Sequence, residues 1–550
     1  MSTAFVRQLG AESGVQLNPL VDNSEIPTND NSDQVFGIIM RSTRGRIDKP
    51  FVVDRGNVMT RLGNGREAGV ANDINANNEA WIQVVEALNN GAYSAVVQRL
   101  VGDSTVKFAV ATVSSDAINF TVSDTAPVST HLMSIKHLDC FNDGITITLR
   151  AEEKKVAGVA VANDYVTLSL RDNEGTLLYE FYGSLKADAV DDYGNTAFLE
   201  EVIARQTDAV IVDIPQTDTL EIAPTSDAYG YDATNGQPKS VTSALLICFV
   251  EGNPYASGAV VDYMGARTKL QDTQYNYAYI ASGGTKTPAL LAQLAQLAFD
   301  TNRQLRFDIP GDLSVSAAIA WVEQLSFGAN KTSHLLHAFW APFKSIDPTN
   351  IHGKGYIGTS ALNIAYACLR NAATNSLGFA PKNYPVAGRE WPVSRRGITQ
   401  TLTPSNQDLN ALARAKINPV VYEVYTGGGR TVFRDSLTCA LVESSLKKLI
   451  SVADMSASVD DAVTRYGKDC LQLPMQIAIK KFKDFLTTYF SDAEASGWLV
   501  PSNDPSMGGK AWMFDVRPNA VRPYDRMDVN YSLRYDGAVR QIHVTQTLVK

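Results

Sequence analysis

The chain has six histidines, and one pair is spaced closely enough to test for metal or acid–base chemistry. His334 and His337 stand three apart in "SHLLHAFW". That apolar, aromatic run reads as a strand, and a spacing of three on a strand turns the two rings to opposite faces. No cysteine or carboxylate stands beside them, so a structural role is expected and a metal site is not. A second candidate is "YTGGGRT", with Gly427, Gly428 and Gly429. It lacks the spacing of a phosphate loop and the lysine that reaches the phosphates, and it reads as a turn. "GSL" at Gly183 lacks the glycine spacing of a nucleophile elbow. Asp191 and Asp192, beside Gly194 and Asn195, read as a solvated loop rather than paired acids or a cation site. No catalytic constellation, cofactor site or metal site is therefore expected.

The elements around these residues say more. At 550 residues, 45% hydrophobic and 19% charged, the chain is long enough for several soluble domains. A net charge of −9 argues against nonspecific nucleic-acid binding, which needs clustered lysine and arginine. Five cysteines are widely scattered with no CxxC, as expected for a reducing compartment and not for a disulfide framework. The opening "MSTAFVRQLGAESGVQL" lacks a signal-peptide pattern, and no run approaches the ~20 apolar residues of a membrane span. A soluble product of the cytosol is expected, with no direct membrane insertion.

The pattern along the chain predicts an α/β and α+β multidomain protein. Residues 1–30 form a polar arm that is either disordered or laid on a partner. Residues 31–104 read strand, turn, strand, then a helix with Trp81, Val84, Val85 and Leu88 at helical spacing, then a strand. Residues 105–240 are β-rich, with one helix in "TAFLEEVIARQ". Residues 241–400 alternate strand and helix, which predicts a mostly parallel sheet. Residues 401–537 add a helix, a strand and two amphipathic helices. The first of these is expected over about Asp435–Ala453, with Cys439, Val442, Leu446, Leu449 and Ala453 on one face. The second carries Met475, Ile479, Phe482, Leu486 and Tyr489 on one face. Lys480, Lys481 and Lys483 lie away from it, where an acidic partner and plain solvent fit equally. Residues 538–550 read as one β-strand with Ile542, Val544 and Leu548 on one side and His543 and Thr545 on the other.

The order of four segments resembles the contractile tail sheath proteins of phages and related injection systems. They are "FGIIMRSTRGRIDKPFVV" with "NEAWIQVVEALNNGAYSAVVQRLVG"; "LLYEFYGSLKADAVDDYGNTAFLEEVIARQTDAVIV"; "QLRFDIPG" with "SHLLHAFWAPF"; and "INPVVYEVYTGGGRTVFRDSLTCALVESSLKKL". The family's N-terminal "PGVY-E" is absent here, its arginine–threonine pair is met only loosely by Arg434, Asp435 and Ser436, and residues 105–165 have no counterpart. The resemblance implies a non-enzymatic structural subunit without cofactor. It implies hexameric rings stacked helically around a tail tube protein, with baseplate and tail terminator proteins at the ends and no direct contact with nucleic acid. The subunit would be assembled in the bacterial cytoplasm and reside in the virion tail. It further implies that both terminal arms pair with sheets of neighbouring subunits, through Ile542, His543, Val544, Thr545 and Leu548 at the C-terminal end. The helix after the glycine turn would face the tube, with Arg434, Glu443, Lys447 and Lys448 as its charges. Another self-assembling shell or surface-array protein is the alternative, and a cytosolic α/β enzyme a further one.

Overall fold

The computed structural model describes residues 32–65, 78–100, 106–114, 117–127, 131–152, 154–217, 220–222, 230–232, 237–239, 245–251, 262–330 and 332–546. The arm at 1–30 and Leu548 lie outside them.

An eight-stranded sheet forms the centre. Its spatial order is Phe51–Val53, Ser94–Arg99, Val35–Met40, Tyr279–Ala281, Gln304–Ile309, Leu336–Trp340, Ile417–Tyr425 and Gly428–Phe433. The six inner strands run parallel, and one antiparallel strand closes each edge. Parallel neighbours require crossover helices, which cover both faces and turn the strands into continuous apolar runs such as "VFGIIM". On one face, Trp81, Ile82 and Val84 of helix Glu79–Asn89 pack with Leu362 and Ile364 of helix Ser360–Asn371. On the other face, Leu290, Leu291 and Leu294 of helix Pro288–Thr301 and Ala318 of helix Val315–Leu325 make the second half of the core. Each of these buried leucines, isoleucines and valines contributes about 1.5–3 kcal/mol of transfer free energy.

The β-rich region is inserted between strand Ser94–Arg99 and helix Tyr263–Gln271. It holds two four-stranded antiparallel sheets around a shared core that includes Ile135, Ile147, Leu149, Leu168 and Phe181. Strand Leu245–Phe249 pairs with Ile145–Ala151, so the module runs on past residue 240, where the composition alone had placed its end. Arg99, the last residue of its strand, fastens the module to the centre. Its buried guanidinium donates to the carbonyls of Ser42, Gly45 and Cys140 at 3.1, 2.7 and 2.6 Å. Beside it, Arg44 pairs with Asp143 and Asp172.

A third unit packs two long helices, Ile450–Asp469 and Met475–Ala495, on a two-stranded ribbon of Trp512–Pro518 and Met527–Leu533. The second helix follows Pro474 and stops before Gly497, which sits at φ 77°. It buries Ile479, Phe482 and Leu486, the face read from its periodicity, together with Phe490. The helix expected over Asp435–Ala453 is displaced. The backbone N–H of Leu437 goes to Asn418 Oδ1 (2.7 Å), that of Thr438 to the Lys448 carbonyl (2.9 Å) and that of Cys439 to the Leu336 carbonyl (2.8 Å). Donors spent on these acceptors cannot bond four residues back, so the segment is an irregular loop and the helix begins only at Ile450. Asp454 of that helix meets two buried arginines, Arg370 at 2.9 Å and Arg306 at 3.6 Å, which lock it onto the sheet. Although burial alone raises it, these arginines hold the Asp454 carboxyl below its ordinary range. Among the described residues, no helix is long and apolar enough to cross a membrane.

Candidate functional site

In a parallel sheet the usual ligand site is the crevice at the carboxyl ends of the strands, where the strand order reverses. Here that point lies between Val35–Met40 and Tyr279–Ala281. Gly283 and Gly284 follow the second strand at φ 62° and 71°, and helices Glu79–Asn89 and Ser360–Asn371 begin nearby. The chain fills this crevice with its own side chains. Asp308 Oδ1 accepts the N–H groups of Thr359 (2.7 Å) and Ser360 (2.9 Å), satisfying donors at the start of a helix. Glu79 Oε1 accepts the Gly358 N–H at 2.8 Å, and the Gln83 amide donates to both Glu79 (3.3 Å) and Asp308 (3.1 Å). A Cβ on Gly284 would lie 2.3 Å from Glu79 Cδ, so the glycine makes room for the carboxyl. Next to it, Arg395 forms a buried two-point pair with Glu86 at 2.7 and 2.6 Å and donates to the Ile357 carbonyl at 2.8 Å. Burial, and then the neighbouring Asp308, push the Glu79 carboxyl up to about 7. The remaining void is about 10 Å³, room for one water and not for a substrate.

The other polar candidates of the sequence resolve into structure. His334 sits in the 3-10 turn Ser333–Leu335 and His337 in the following strand, with His337 Nε2 3.0 Å from the His334 carbonyl. Burial, and then Arg306, push the His337 imidazole down to about 3. No group of three or more histidine, cysteine or acidic residues among the described residues is arranged to hold a metal. Gly427 and Gly428, at φ 108° and 119°, turn the hairpin between Ile417–Tyr425 and Gly428–Phe433. Asp191 accepts the N–H groups of Tyr193 and Asn195, both at 2.9 Å, in an exposed turn. Gly183 lies inside strand Leu177–Ser184.

What the structure leaves open is backbone. Residues 538–546 pair with no strand among the described residues; the strand read from their alternation needs a second edge, and none of the described strands lies alongside. Val539, Ile542 and Val544 are 81%, 80% and 87% exposed, and His543 and Thr545 are exposed too. The segment leaves the body through one clamp, Arg540 Nε to Asp435 Oδ1 at 2.9 Å. The ribbon of Trp512–Pro518 and Met527–Leu533 buries one face on helix Met475–Ala495. Among the described strands, each of its two has only one neighbour, which leaves a free row of N–H and C=O groups on either side. Its base is held where the Arg534 N–H meets the Ala511 carbonyl and the Asp536 N–H meets that of Trp498, both at 2.9 Å.

The four charged residues expected on a tube-facing helix sit instead on and around the irregular loop. Arg434 pairs with Glu423 across the hairpin, and the Lys448 ammonium donates to the Glu443 carbonyl. Lys447 and Lys448 lie in the short turn Leu446–Lys448 at the loop's end.

No protein-family model and no curated protein matches the chain. Among solved structures, the sheath tail protein of Listeria innocua aligns at 11% identity with a TM-score of 0.50, covering 93% of this chain and 99% of that one. The sheath tail protein of Desulfitobacterium hafniense aligns at 11% identity and TM-score 0.47 over 96% and 100% of the two chains. The sheath of an extracellular contractile injection system in its contracted state aligns at 13% identity and TM-score 0.40 over 53% and 77%. The Listeria alignment runs nearly end to end, and the fold of this chain is that of a tail sheath protein.

Proposed function

We propose that this chain is the structural subunit of a contractile tail sheath, polymerising as stacked hexameric rings around a tail tube and contracting to drive the tube through a cell envelope. It acts in a virion tail, between baseplate and terminator proteins, and is no enzyme. Free energy for contraction is stored in the metastable lattice rather than supplied by a nucleotide. The observation that carries this reading is the exposed segment 538–546, with Val539, Ile542 and Val544 facing solvent in a chain of sheath fold. It suits addition to the free edge of a neighbour's ribbon, where backbone bonds hold and alternate side chains specify. About six ladder bonds at ~0.5–1.5 kcal/mol each, with Ile542 and Val544 at ~1.5–3 kcal/mol apiece, give several kcal/mol per junction before ordering costs. The tube contact must release on firing, and surface charges such as Lys447 and Lys448, at ~0–1 kcal/mol per pair, are weak enough.

The test is negative-stain microscopy of the purified chain beside a variant lacking residues 538–550. Long hollow tubes from the first and none from a folded second support the reading. Flat lattices favour a surface array, a lasting monomer rejects assembly, and tubes from the truncated chain reject strand donation.

A further inference from the structure

A cleft of about 700 Å³ opens at the amino ends of the parallel strands, the opposite end from the filled crevice, between the sheet and the two long helices. Its aromatic wall is continuous. Tyr489 lies 5.5 Å from the stacked ring of Phe485 and 5.2 Å from Phe379, which meets Trp498 at 4.9 Å. Phe485 and Tyr489 are only half-buried. Arg303 also lines the cleft, its guanidinium 4.6 Å above the Tyr277 ring, and no acceptor among the described residues takes its hydrogen bonds. Burial pushes this arginine below its ordinary pKa, by more than Tyr277, Asp461 and Asp33 restore. Three of the carboxylates alongside are engaged, Asp461 with Arg465, Asp300 with Arg267 and Asp460 with Asn302, and Asp492 lines the cleft as well.

The main chain enters the core through this cleft. Ser32 and Asp33 line it, and Asp33 is pinned there by the Lys382 ammonium (2.8 Å) and by Asn371, which donates to the Asp33 carbonyl at 3.0 Å. The preceding stretch, residues 17–31, reads "LNPLVDNSEIPTNDN": six apolar residues and three carboxylates, with no lysine or arginine. We propose that residues 17–31 occupy this cleft of their own chain, laying Leu20, Val21 and Ile26 on the Phe485–Tyr489 wall and giving Arg303 a carboxylate. The inference concerns the isolated subunit and does not depend on assembly.

Thr488, exposed on the rim, reports occupancy when changed to cysteine. Cys140, Cys368, Cys439 and Cys470 are buried, and exposed Cys248 serves as the labelling control. In the full chain, Thr488→Cys is expected to react with a thiol reagent at least tenfold more slowly than in a variant lacking residues 2–31. Full chains carrying Leu20→Asp with Ile26→Asp, or Arg303→Met, should label at rates approaching that of the truncated variant. A synthetic peptide of residues 17–31 should slow the truncated variant again. Equal rates in the full and truncated chains overturn the proposal. So does protection that appears only as protein concentration rises, which makes the occupant another copy.

Discussion

Replacing Glu79 by glutamine isolates the titration at the filled crevice. Glu79 is buried beside Asp308 and the Glu86–Arg395 pair, with Lys286 the nearest exposed cation on the Gly283–Gly284 loop. Its carboxyl titrates at about 7 in the fold against 4.5 in the open chain. Between those values the folded protein holds a proton that the unfolded chain has released, so stability falls as pH rises through the window and levels off above about 7. At ~1.36 kcal/mol per pH unit the loss is about 3 kcal/mol. Glutamine keeps the oxygen that accepts the Gly358 N–H and cannot ionise. The variant should therefore gain on the natural chain by about 3 kcal/mol from pH 4.5 to pH 8. Thermal unfolding followed by near-ultraviolet circular dichroism reads this as roughly 6 °C, at ~2 °C per kcal/mol for a large cooperative unit. Differences between the two proteins remove the titrating groups that are not coupled to Glu79. Parallel melting curves across the whole range would show that Glu79 is ionised throughout and refute the reasoning.

Asp454→Asn strips the counter-charge from Arg306 and Arg370 and should cost about 3–5 kcal/mol in urea unfolding, the usual result of leaving buried cations uncompensated. Lys447→Glu with Lys448→Glu should weaken binding to the tube at low salt and leave the subunit's melting unchanged; binding equal to the natural chain would remove these residues from the tube contact. Arg540→Ala opens the clamp to Asp435, an exposed pair worth ~0–1 kcal/mol, so stability should hold while a spin label at His543→Cys gains mobility.

Much of the body could be read from periodicity. Trp81, Val84 and Leu88 identify one helix and Ile479, Phe482 and Leu486 another, because each face is apolar at helical spacing and does pack inward. The same reasoning failed at Asp435–Ala453. Cys439 and Leu449 are buried as their pattern implied, but the segment is held by the Cys439 N–H on the Leu336 carbonyl and the Leu437 N–H on Asn418 Oδ1, which no local pattern reveals. The true helix, Ile450–Asp469, buries Ser451 and Asp454 and so shows a poor apolar stripe. Glu79 looks like an ordinary acid in a helix's first turn; its partner Asp308 lies more than two hundred residues away, and burial decides its chemistry. The alternation of 538–550 describes side chains faithfully, yet whether a strand forms depends on a second edge, which is a property of the surroundings.

The position of Val35–Met40 bears on how the chain is made. It lies between Ser94–Arg99 and Tyr279–Ala281, so its first neighbour follows about 60 residues later and its second, pairing Phe36 with Tyr279, about 240. At a synthesis rate of ~5–20 residues per second, the second flank of this apolar strand stays unpaired for roughly 12–50 s. The β-rich module is translated during that interval and can close on its own antiparallel pairs, while the parallel centre, built from distant partners, forms slowly. A nascent subunit is thus most open to mispairing, and most in need of a chaperone, while its inserted module is emerging. Slowing translation just before Tyr279 should lengthen that exposure and lower the yield of folded protein.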